Sequence, residues 1–230
     1  MDKRGQAVNH IGWVMEFAIV PERAGLPTSA GPTLAVPDMP HMDAEALAFF
    51  EDRLRGTRCF LEYGAGGSTR LAARLGVPRI LSVESDPAFG QAVAEALRRE
   101  AGEHEFELFT PDLGATGAWG FPTDPTTCQR WPLYATRPWD RLARRQWVPD
   151  LILVDGRFRV ACFLASLLQA RPGAVILFDD YAGRRKQYGA AERHLPITRM
   201  AGRAAVFEVP AEVDLRRVGM DLAKYAVNPS

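Results

Sequence analysis

Short apolar runs alternate with helical patterns along most of this 230-residue chain, and that alternation narrows the possible folds more than any other feature. Two of the runs, 151–154 and 174–178, are apolar throughout, as strands covered on both faces of a sheet are. Strands that are separated by helices pair in parallel. The sequence therefore predicts an α/β fold, a doubly wound, mostly parallel sheet of about seven strands with helices on both faces.

Five parallel strands follow from these patterns, and a hairpin around Gly202 is predicted to close the sheet with strands near 195–200 and 204–209. Asp43 and Asp86 are predicted to cap helices at their N-termini, with Pro87 at the first helical position. The five predicted strands are Cys59–Leu61, Ile80–Val83, Glu105–Phe109, Leu151–Val154 and Ala174–Phe178.

The chain divides into an arm and one domain. Prolines and glycines forbid long regular structure in residues 1–40, so we predict a proline-rich N-terminal arm there and a single domain over 41–230. Residues 114–149 make an insert that is long for a connection. Its aromatic residues form either a lid or acceptor pocket, or a satellite core packed on the sheet; they are Trp119, Phe121, Trp131, Tyr134, Trp139 and Trp147.

Composition excludes several classes of protein. Basic and acidic side chains balance at 28 each, which argues against a dedicated nucleic-acid binder. The longest N-terminal apolar stretch, 11–20, is too short to span a membrane. The three cysteines (Cys59, Cys128 and Cys162) have no metal or disulfide spacing, so we expect reduced thiols and a cytoplasmic location.

A glycine-rich loop follows the first predicted strand. It reads Glu62–Tyr63–Gly64–Ala65–Gly66, and glycines there allow a ligand to approach the backbone closely. The dinucleotide fingerprint fails because Thr69 stands where a third glycine is needed, and an acid before the glycines would repel a pyrophosphate. That acid suits a positively charged ammonium group. Glu84, after the second strand, can accept both hydroxyls of a ribose.

The stretch Phe60–Gly66, together with Val83–Glu84, resembles the first two motifs of class I S-adenosylmethionine-dependent methyltransferases. The resemblance covers roughly residues 42–210 and implies a Rossmann-like fold with S-adenosylmethionine as cofactor. It implies that Glu62 helps to hold the amino group, that Glu84 binds the ribose, and that the loop after the third strand lines the adenine. The cofactor-binding residues expected on this basis are Glu62, Gly64, Ala65, Gly66, Ser68, Glu84, Ser85, Asp112, Leu113 and Asp155.

Carboxylates also follow the fourth and fifth strands, as Asp155 and as Asp179–Asp180. Three converging carboxylates repel one another unless they are protonated or bridged by a cation, and oxygen ligands suit magnesium. The pattern is similar to that of magnesium-dependent sugar O-methyltransferases of macrolide biosynthesis, which implies a catalytic and metal-binding role for Asp155, Asp179 and Asp180. Alternatively, Arg157 and Arg159 pair with these acids without a metal.

The sequence therefore predicts a methyltransferase that modifies a small-molecule acceptor, most simply at an oxygen, with no nucleic-acid or membrane partner and with homodimer formation. His41 and His194 are further candidates for a general base. Two alternatives remain open. One is a non-catalytic S-adenosylmethionine-binding or protein-interaction module on the same fold, and the other is a nicotinamide-dependent oxidoreductase, which the failed fingerprint disfavours.

Overall fold

The computed structural model describes residues 34–100 and 102–230, so most of the predicted arm lies outside the described residues. Seven strands form one sheet: Phe60–Tyr63 (β1), Arg79–Val83 (β2), Glu105–Phe109 (β3), Leu151–Val154 (β4), Val175–Phe178 (β5), Arg199–Ala201 (β6) and Ala204–Glu208 (β7). The helices are Ala44–Leu54 (α1), Gly67–Arg74 (α2), Pro87–Leu97 (α3), Pro132–Arg145 (α4), Arg159–Gln169 (α5), Arg185–Tyr188 (α6) and Leu215–Tyr225 (α7).

The sheet has the strand order β3-β2-β1-β4-β5-β7-β6. The first five strands pair in parallel, and β7 pairs antiparallel with both β5 and β6. The predicted doubly wound fold and the closing hairpin are therefore confirmed. Because the order reverses between β1 and β4, their carboxyl ends form the crevice in which sheets of this type bind ligands.

The capped helices begin where the sequence predicts. Asp43 accepts hydrogen bonds from the Glu45 and Ala46 amides, and Asp86 does the same for Ala88 and Phe89. The first strand, however, begins one residue later and ends two residues later than predicted. Its pairing with β2 and β4 continues to Tyr63, so Glu62 belongs to the strand and not to the loop.

The aromatic insert has two parts. Trp131, Tyr134, Trp139 and Trp147 are buried in the main core, where α4 covers the sheet between β3 and β4. This part matches the packing interpretation. Trp119 and Phe121 are instead 83% and 42% exposed, so they contribute little to the core.

Backbone turns approach each other closely where β1 and β4 end. Gly64 has a φ of 99°, and a Cβ atom there would lie 2.8 Å from the amide nitrogen of Gly156. Both the dihedral angle and the contact require glycine at position 64. The turn that carries the glycine loop is thus fixed against the turn that follows Asp155.

We predict that Gly64→Ala lowers the free energy of unfolding by about 1–3 kcal/mol, because the added methyl group forces the two turns apart. Gly219→Ala is the matched control: it lies in α7 with no atom within 4 Å of the added Cβ, and it should gain about 0.5–1 kcal/mol from its better helix propensity. Denaturant titration measures both. Equal stability of Gly64→Ala and the wild type would contradict the account.

Candidate functional site

The glycine loop is anchored to the first turn of α2. Gly66 adopts a φ of 158° and a ψ of −130°, and its amide donates to Thr69 Oγ1 at 3.0 Å. The segment before α1 lies against the same helix start, because a Cβ atom on Gly67 would collide with the carbonyl of Met39. The loop is therefore enclosed on one side. The first amides of α2 are directed toward this loop.

Glu62 lies beneath this loop with no exposed surface. Its carboxylate accepts hydrogen bonds from the hydroxyls of Ser68 and Ser82, both at 2.5 Å, and from that of Thr69. Burial raises the pKa of Glu62 to about 7, although the hydroxyl groups oppose the shift. The side chain thus joins β1, β2 and α2. Its predicted contact with a cofactor amino group, and that of Ser68, stay predictions.

Glu84 and Ser85 occupy the end of β2. Glu84 is 7% exposed, and its Oε1 accepts from the amides of Ser85 at 2.7 Å and Asp86 at 2.8 Å. Burial raises the pKa of Glu84, and these amides together with that of Ala65 oppose the rise. The acid is therefore oriented beside the glycine loop, and its contact with a ribose stays a prediction.

The two residues expected to line the adenine are engaged elsewhere. The carboxylate of Asp112 forms an ion pair with Arg130 and accepts from the Gly114 amide at 3.1 Å. Leu113 is 1% exposed within the core, and its carbonyl accepts from Thr127 Oγ1 at 2.6 Å and Trp131 Nε1 at 3.2 Å. Their adenine contact stays a prediction, and these side-chain positions do not support it.

The three predicted acids meet at the ends of β4 and β5. Asp155, Asp179 and Asp180 each offer a carboxylate oxygen, and these oxygens all lie within 4.8 Å of one another. Burial raises the pKa of Asp155 to about 7, opposed by Arg159 and increased by the neighbouring acids. The sequence-based expectation that these residues converge on one site is correct.

Arginine side chains pair with all three acids. The buried Arg159 lies 3.0 Å from Asp155 Oδ1 and 3.5 Å from Asp180 Oδ2. Arg203 lies 3.2 Å from Asp179 Oδ2 and 3.0 Å from Asp180 Oδ1. The acid–arginine network that the sequence left as an alternative is therefore present.

Arg157 does not take part in this network, contrary to the expectation that it pairs with the acids. Within the described ranges it forms no ion pair, and its amide donates to Tyr134 Oη at 3.4 Å. The chain turns sharply after Gly156, with Phe158 at a φ of 55°, and Arg159, not Arg157, is directed toward the acids. We call Asp155, Asp179, Asp180, Arg159 and Arg203 the acid–arginine cluster.

Sequence reasoning missed two of the residues that shape the site. Ser82 is a polar residue inside an apolar run, and its register places it opposite Glu62; that pairing was a readable signal. Arg203 lies in the turn between β6 and β7, and nothing in its local sequence indicates a role.

The remaining candidates have other partners. His194 Nε2 lies 3.0 Å from Asp221 Oδ2, and the exposed His41 contributes its carbonyl to Arg203. Cys59 and Cys162 are buried and Cys128 is exposed.

None of the helices in the described part of the chain is long and apolar enough to span a membrane.

Known proteins provide a further comparison. A crystal structure of a methyltransferase-like protein from Silicibacter pomeroyi is 34% identical, with a TM-score of 0.75 and coverage of 84% of this chain and 100% of that one. Protein-family models and curated proteins gave no match.

Two solved structures are more distantly similar. One is the N-methyltransferase NodS from Bradyrhizobium japonicum, solved with S-adenosyl-L-homocysteine. The other is the MycE methyltransferase from the mycinamycin biosynthetic pathway, solved with Mg, S-adenosylhomocysteine and mycinamycin VI. NodS is 13% identical with a TM-score of 0.41, covering 73% of this chain and 89% of that one. MycE is 17% identical with a TM-score of 0.39, covering 75% and 49%. At these TM-scores the two structures share only part of their architecture with this chain.

The raised pKa of Glu62 has a consequence for stability. An acid whose pKa is raised by folding is protonated in the folded state while it is already ionised in the unfolded state, so the free energy of unfolding falls as the pH rises toward 7. The fall amounts to as much as about 3 kcal/mol between pH 4.5 and 7. Glu62→Gln removes this titration and keeps the shape of the side chain.

We therefore predict that the difference in unfolding free energy, wild type minus Glu62→Gln, decreases as the pH is raised from 5 to 8. Acids that do not interact with Glu62 titrate alike in both proteins and cancel in the difference, whereas the charge of Asp155 contributes to the raised pKa of Glu62 itself. Denaturant titrations at several pH values measure this difference, and a difference that stays constant with pH would show that Glu62 is not held at a raised pKa.

Proposed function

Because the chain belongs to the family of class I S-adenosylmethionine-dependent methyltransferases, we propose that it transfers the methyl group of S-adenosylmethionine to a hydroxyl oxygen of a small-molecule acceptor. The observation that carries the proposal is the position of two acidic groups around one glycine loop. Glu84 lies at the end of β2, and the acid–arginine cluster lies at the ends of β4 and β5.

The cofactor end of the site fits S-adenosylmethionine in its donor and acceptor groups. Gly64 and Ala65 are half-buried, so the backbone of the glycine loop is in part accessible to a ligand at these two positions. Glu84 offers a buried, oriented carboxylate that can accept ribose hydroxyls. When bound, the cofactor supplies a methyl group on a positively charged sulfur, and the loop and Glu84 fix its position.

Asp155 is the residue that we propose takes the proton from the acceptor hydroxyl. A general base works best with a pKa near the working pH, and the pKa of Asp155 is about 7. Asp179 and Asp180 lie beside it, and Arg159 holds the two turns in place through the carbonyls of Gly156 and Asp179, at 3.0 and 2.8 Å. Catalysis then depends mainly on positioning the two reactants.

Magnesium assistance is a finer part of this proposal. The donor set fits, since magnesium takes oxygen ligands and the carboxylate oxygens of the three acids lie within 4.8 Å of one another. Arg203 and Arg184, which pair with these acids, are 40% and 48% exposed, whereas Arg159, which pairs with Asp155 and Asp180, is buried. Asp155, Asp179 and Asp180 would hold the ion, which would make a bound hydroxyl more acidic. Asp155 would then act as a metal ligand in place of its role as the proton acceptor.

A non-catalytic S-adenosylmethionine-binding module is the second candidate. The observation that favours it is the pairing of all three acids with arginines, which leaves no unpaired carboxylate in the cluster. Incubation with methyl-labelled S-adenosylmethionine and hydroxyl compounds separates the two candidates, because only an enzyme moves the label.

The homodimer, the cytoplasmic location and the lack of a nucleic-acid partner stay predictions.

We predict that Glu84→Gln weakens the binding of S-adenosylhomocysteine by about 10–100-fold, because hydrogen bonds to a charged acceptor are worth about 1.5–3 kcal/mol. Isothermal titration calorimetry measures the change. Glu208→Gln, on the exposed end of β7, is the control and should bind as the wild type does. Unchanged affinity of Glu84→Gln would remove Glu84 from the cofactor site.

For the metal, we predict saturable binding of Mn²⁺, a spectroscopic substitute for magnesium, by the wild type and its loss in Asp180→Asn. Electron paramagnetic resonance of free Mn²⁺ measures both. Asp52→Asn, in α1 and outside the cluster, serves as the charge-matched control. Absence of binding by the wild type would leave the acid–arginine network as the state of these residues and would remove only the metal from the proposal.

A further inference from the structure

Arg157, in the turn after β4, is a fixed cation without a counter-charge among the described residues. Its backbone is held on both sides, since its amide donates to Tyr134 Oη and its carbonyl accepts from Cys162 Sγ, both at 3.4 Å. Its side chain is half-buried, and its Nε is buried with no hydrogen-bond partner in the described part of the chain. Charged groups in such positions ordinarily have a partner of opposite charge.

The surroundings of the Arg157 guanidinium are positive. Burial has the largest effect and lowers its pKa, and the charges of Arg159 and Arg184 lower it further, whereas Tyr134 and Tyr188 oppose the shift. Arginine nevertheless stays charged in proteins. The neighbours of Arg157 therefore leave its positive charge unbalanced.

Two buried tyrosines hold these arginines in place without neutralising them. A Cβ atom on Gly156 would collide with Tyr134 Oη, so this hydroxyl lies at the turn that carries Arg157. Tyr188 Oη accepts from Arg184 Nη1 at 3.1 Å, and the Arg159 guanidinium lies 5.8 Å from the centre of the Tyr188 ring. Three guanidinium groups are thus gathered on one side of the acids.

The charges at the ends of β4 and β5 do not balance. Four arginines adjoin three carboxylates, and three of the four contact an acid: Arg159 contacts Asp155 and Asp180, Arg203 contacts Asp179 and Asp180, and Arg184 lies 3.7 Å from Asp180 Oδ2. The fourth is Arg157. The surplus positive charge therefore belongs to the one arginine that has no acid beside it.

We propose that Arg157 binds an oxyanion of the acceptor, a carboxylate or a phosphate group, so that the acceptor is an acidic hydroxyl compound; this inference rests on the proposed function. A guanidinium binds such groups through two parallel N–H donors. Arg159 both contacts Asp155 and adjoins Arg157. An acceptor held by Arg157 therefore needs only a short skeleton between its anion and the hydroxyl that Asp155 deprotonates.

The start of α5 adds to this attraction. The helix has 11 residues and begins at Arg159, and no side chain caps its first amides. These amides carry partial positive charge and favour an anion in front of them. Arg157 precedes them directly, so both groups act on the same bound oxyanion.

The position of Arg157 favours the acceptor over the cofactor as the source of the oxyanion. The residues that adjoin its guanidinium include Arg184 and Tyr188, which follow β5. Glu84, to which we assign the ribose, follows β2 on the other side of β1. Arg157 is therefore directed toward the half of the crevice where we place the acceptor.

The test titrates small anions into the full chain saturated with S-adenosylhomocysteine, in metal-free buffer at constant ionic strength. Glycerate carries a carboxylate, glycerol 3-phosphate carries a phosphate, and glycerol carries no charge. Calorimetry should show saturable binding of at least one anion and none of glycerol, and the preferred anion identifies the acidic group. Arg157→Gln should weaken this binding by about tenfold or more, whereas Arg157→Lys, which keeps the charge without the fork, should retain part of it.

Arg144→Gln is the charge-matched control, because Arg144 is exposed near the end of α4, and it should bind the anions as the wild type does. Arg157→Gln should keep the wild-type affinity for S-adenosylhomocysteine, since the oxyanion belongs to the acceptor. Its melting temperature should not fall, because the substitution removes an unbalanced charge.

Three results would overturn the inference or its basis. Equal anion affinity in the wild type and Arg157→Gln, or a wild type that binds S-adenosylhomocysteine but neither anion, would overturn it and leave the proposed function in place. Weaker binding of S-adenosylhomocysteine by Arg157→Gln, with unchanged binding of 5′-methylthioadenosine, which lacks the amino-acid portion, would assign Arg157 to the cofactor carboxylate and would also overturn it. Failure of the wild type to bind S-adenosylhomocysteine would instead count against the proposed function itself.

Discussion

The turns that follow β1 and β4 meet at Gly64 and Gly156, with no room between them for a Cβ atom. The glycine loop leaves from one of these turns and Asp155 from the other. Their contact therefore sets the distance between the glycine loop, where we propose that the cofactor binds, and the acid–arginine cluster. It exists because β1 and β4 are neighbours in the sheet although they are far apart in sequence, which is the property of the doubly wound order that creates its crevice.

The carboxylates at this site are stabilised in two different ways. Glu62 is surrounded by neutral hydroxyls, which can accept or donate as its charge changes. Asp179 and Asp180 are surrounded by guanidinium groups, which stabilise only the ionised form. Glu62 therefore serves to hold the loop, whereas the acid–arginine cluster lies at the place where we propose that the acceptor hydroxyl loses its proton. Asp155 combines both situations, because burial raises its pKa and the neighbouring Arg159 opposes that rise.

Much of the fold was predictable because its signals are local. The caps at Asp43 and Asp86, the buried strands β4 and β5, and the hairpin around Gly202 all follow from short patterns, and the convergence of Asp155 with Asp179 and Asp180 follows from parallel strand ends. The predicted end of β1 was wrong because pairing with β2 extends the strand through Glu62 and Tyr63. That extension moves Glu62 from the loop to a position beneath it.

The parts that sequence could not provide are those set by contacts between distant segments. Arg203 reaches the cluster from the β6–β7 turn, and Arg159 replaces Arg157 because the backbone turns at Phe158. The approach of Gly120 to Glu84 joins residues from separate connections. None of these contacts leaves a periodic or spaced pattern, since each depends on side-chain direction in the folded state.

Calorimetric titration of the full chain with S-adenosylmethionine tests the central claim most directly. The account predicts saturable binding with a stoichiometry near one per chain, since one glycine loop and one Glu84 define one site. Absence of measurable binding, both with magnesium and with a chelator present, would contradict the account and would show that this chain keeps the methyltransferase fold without its cofactor site.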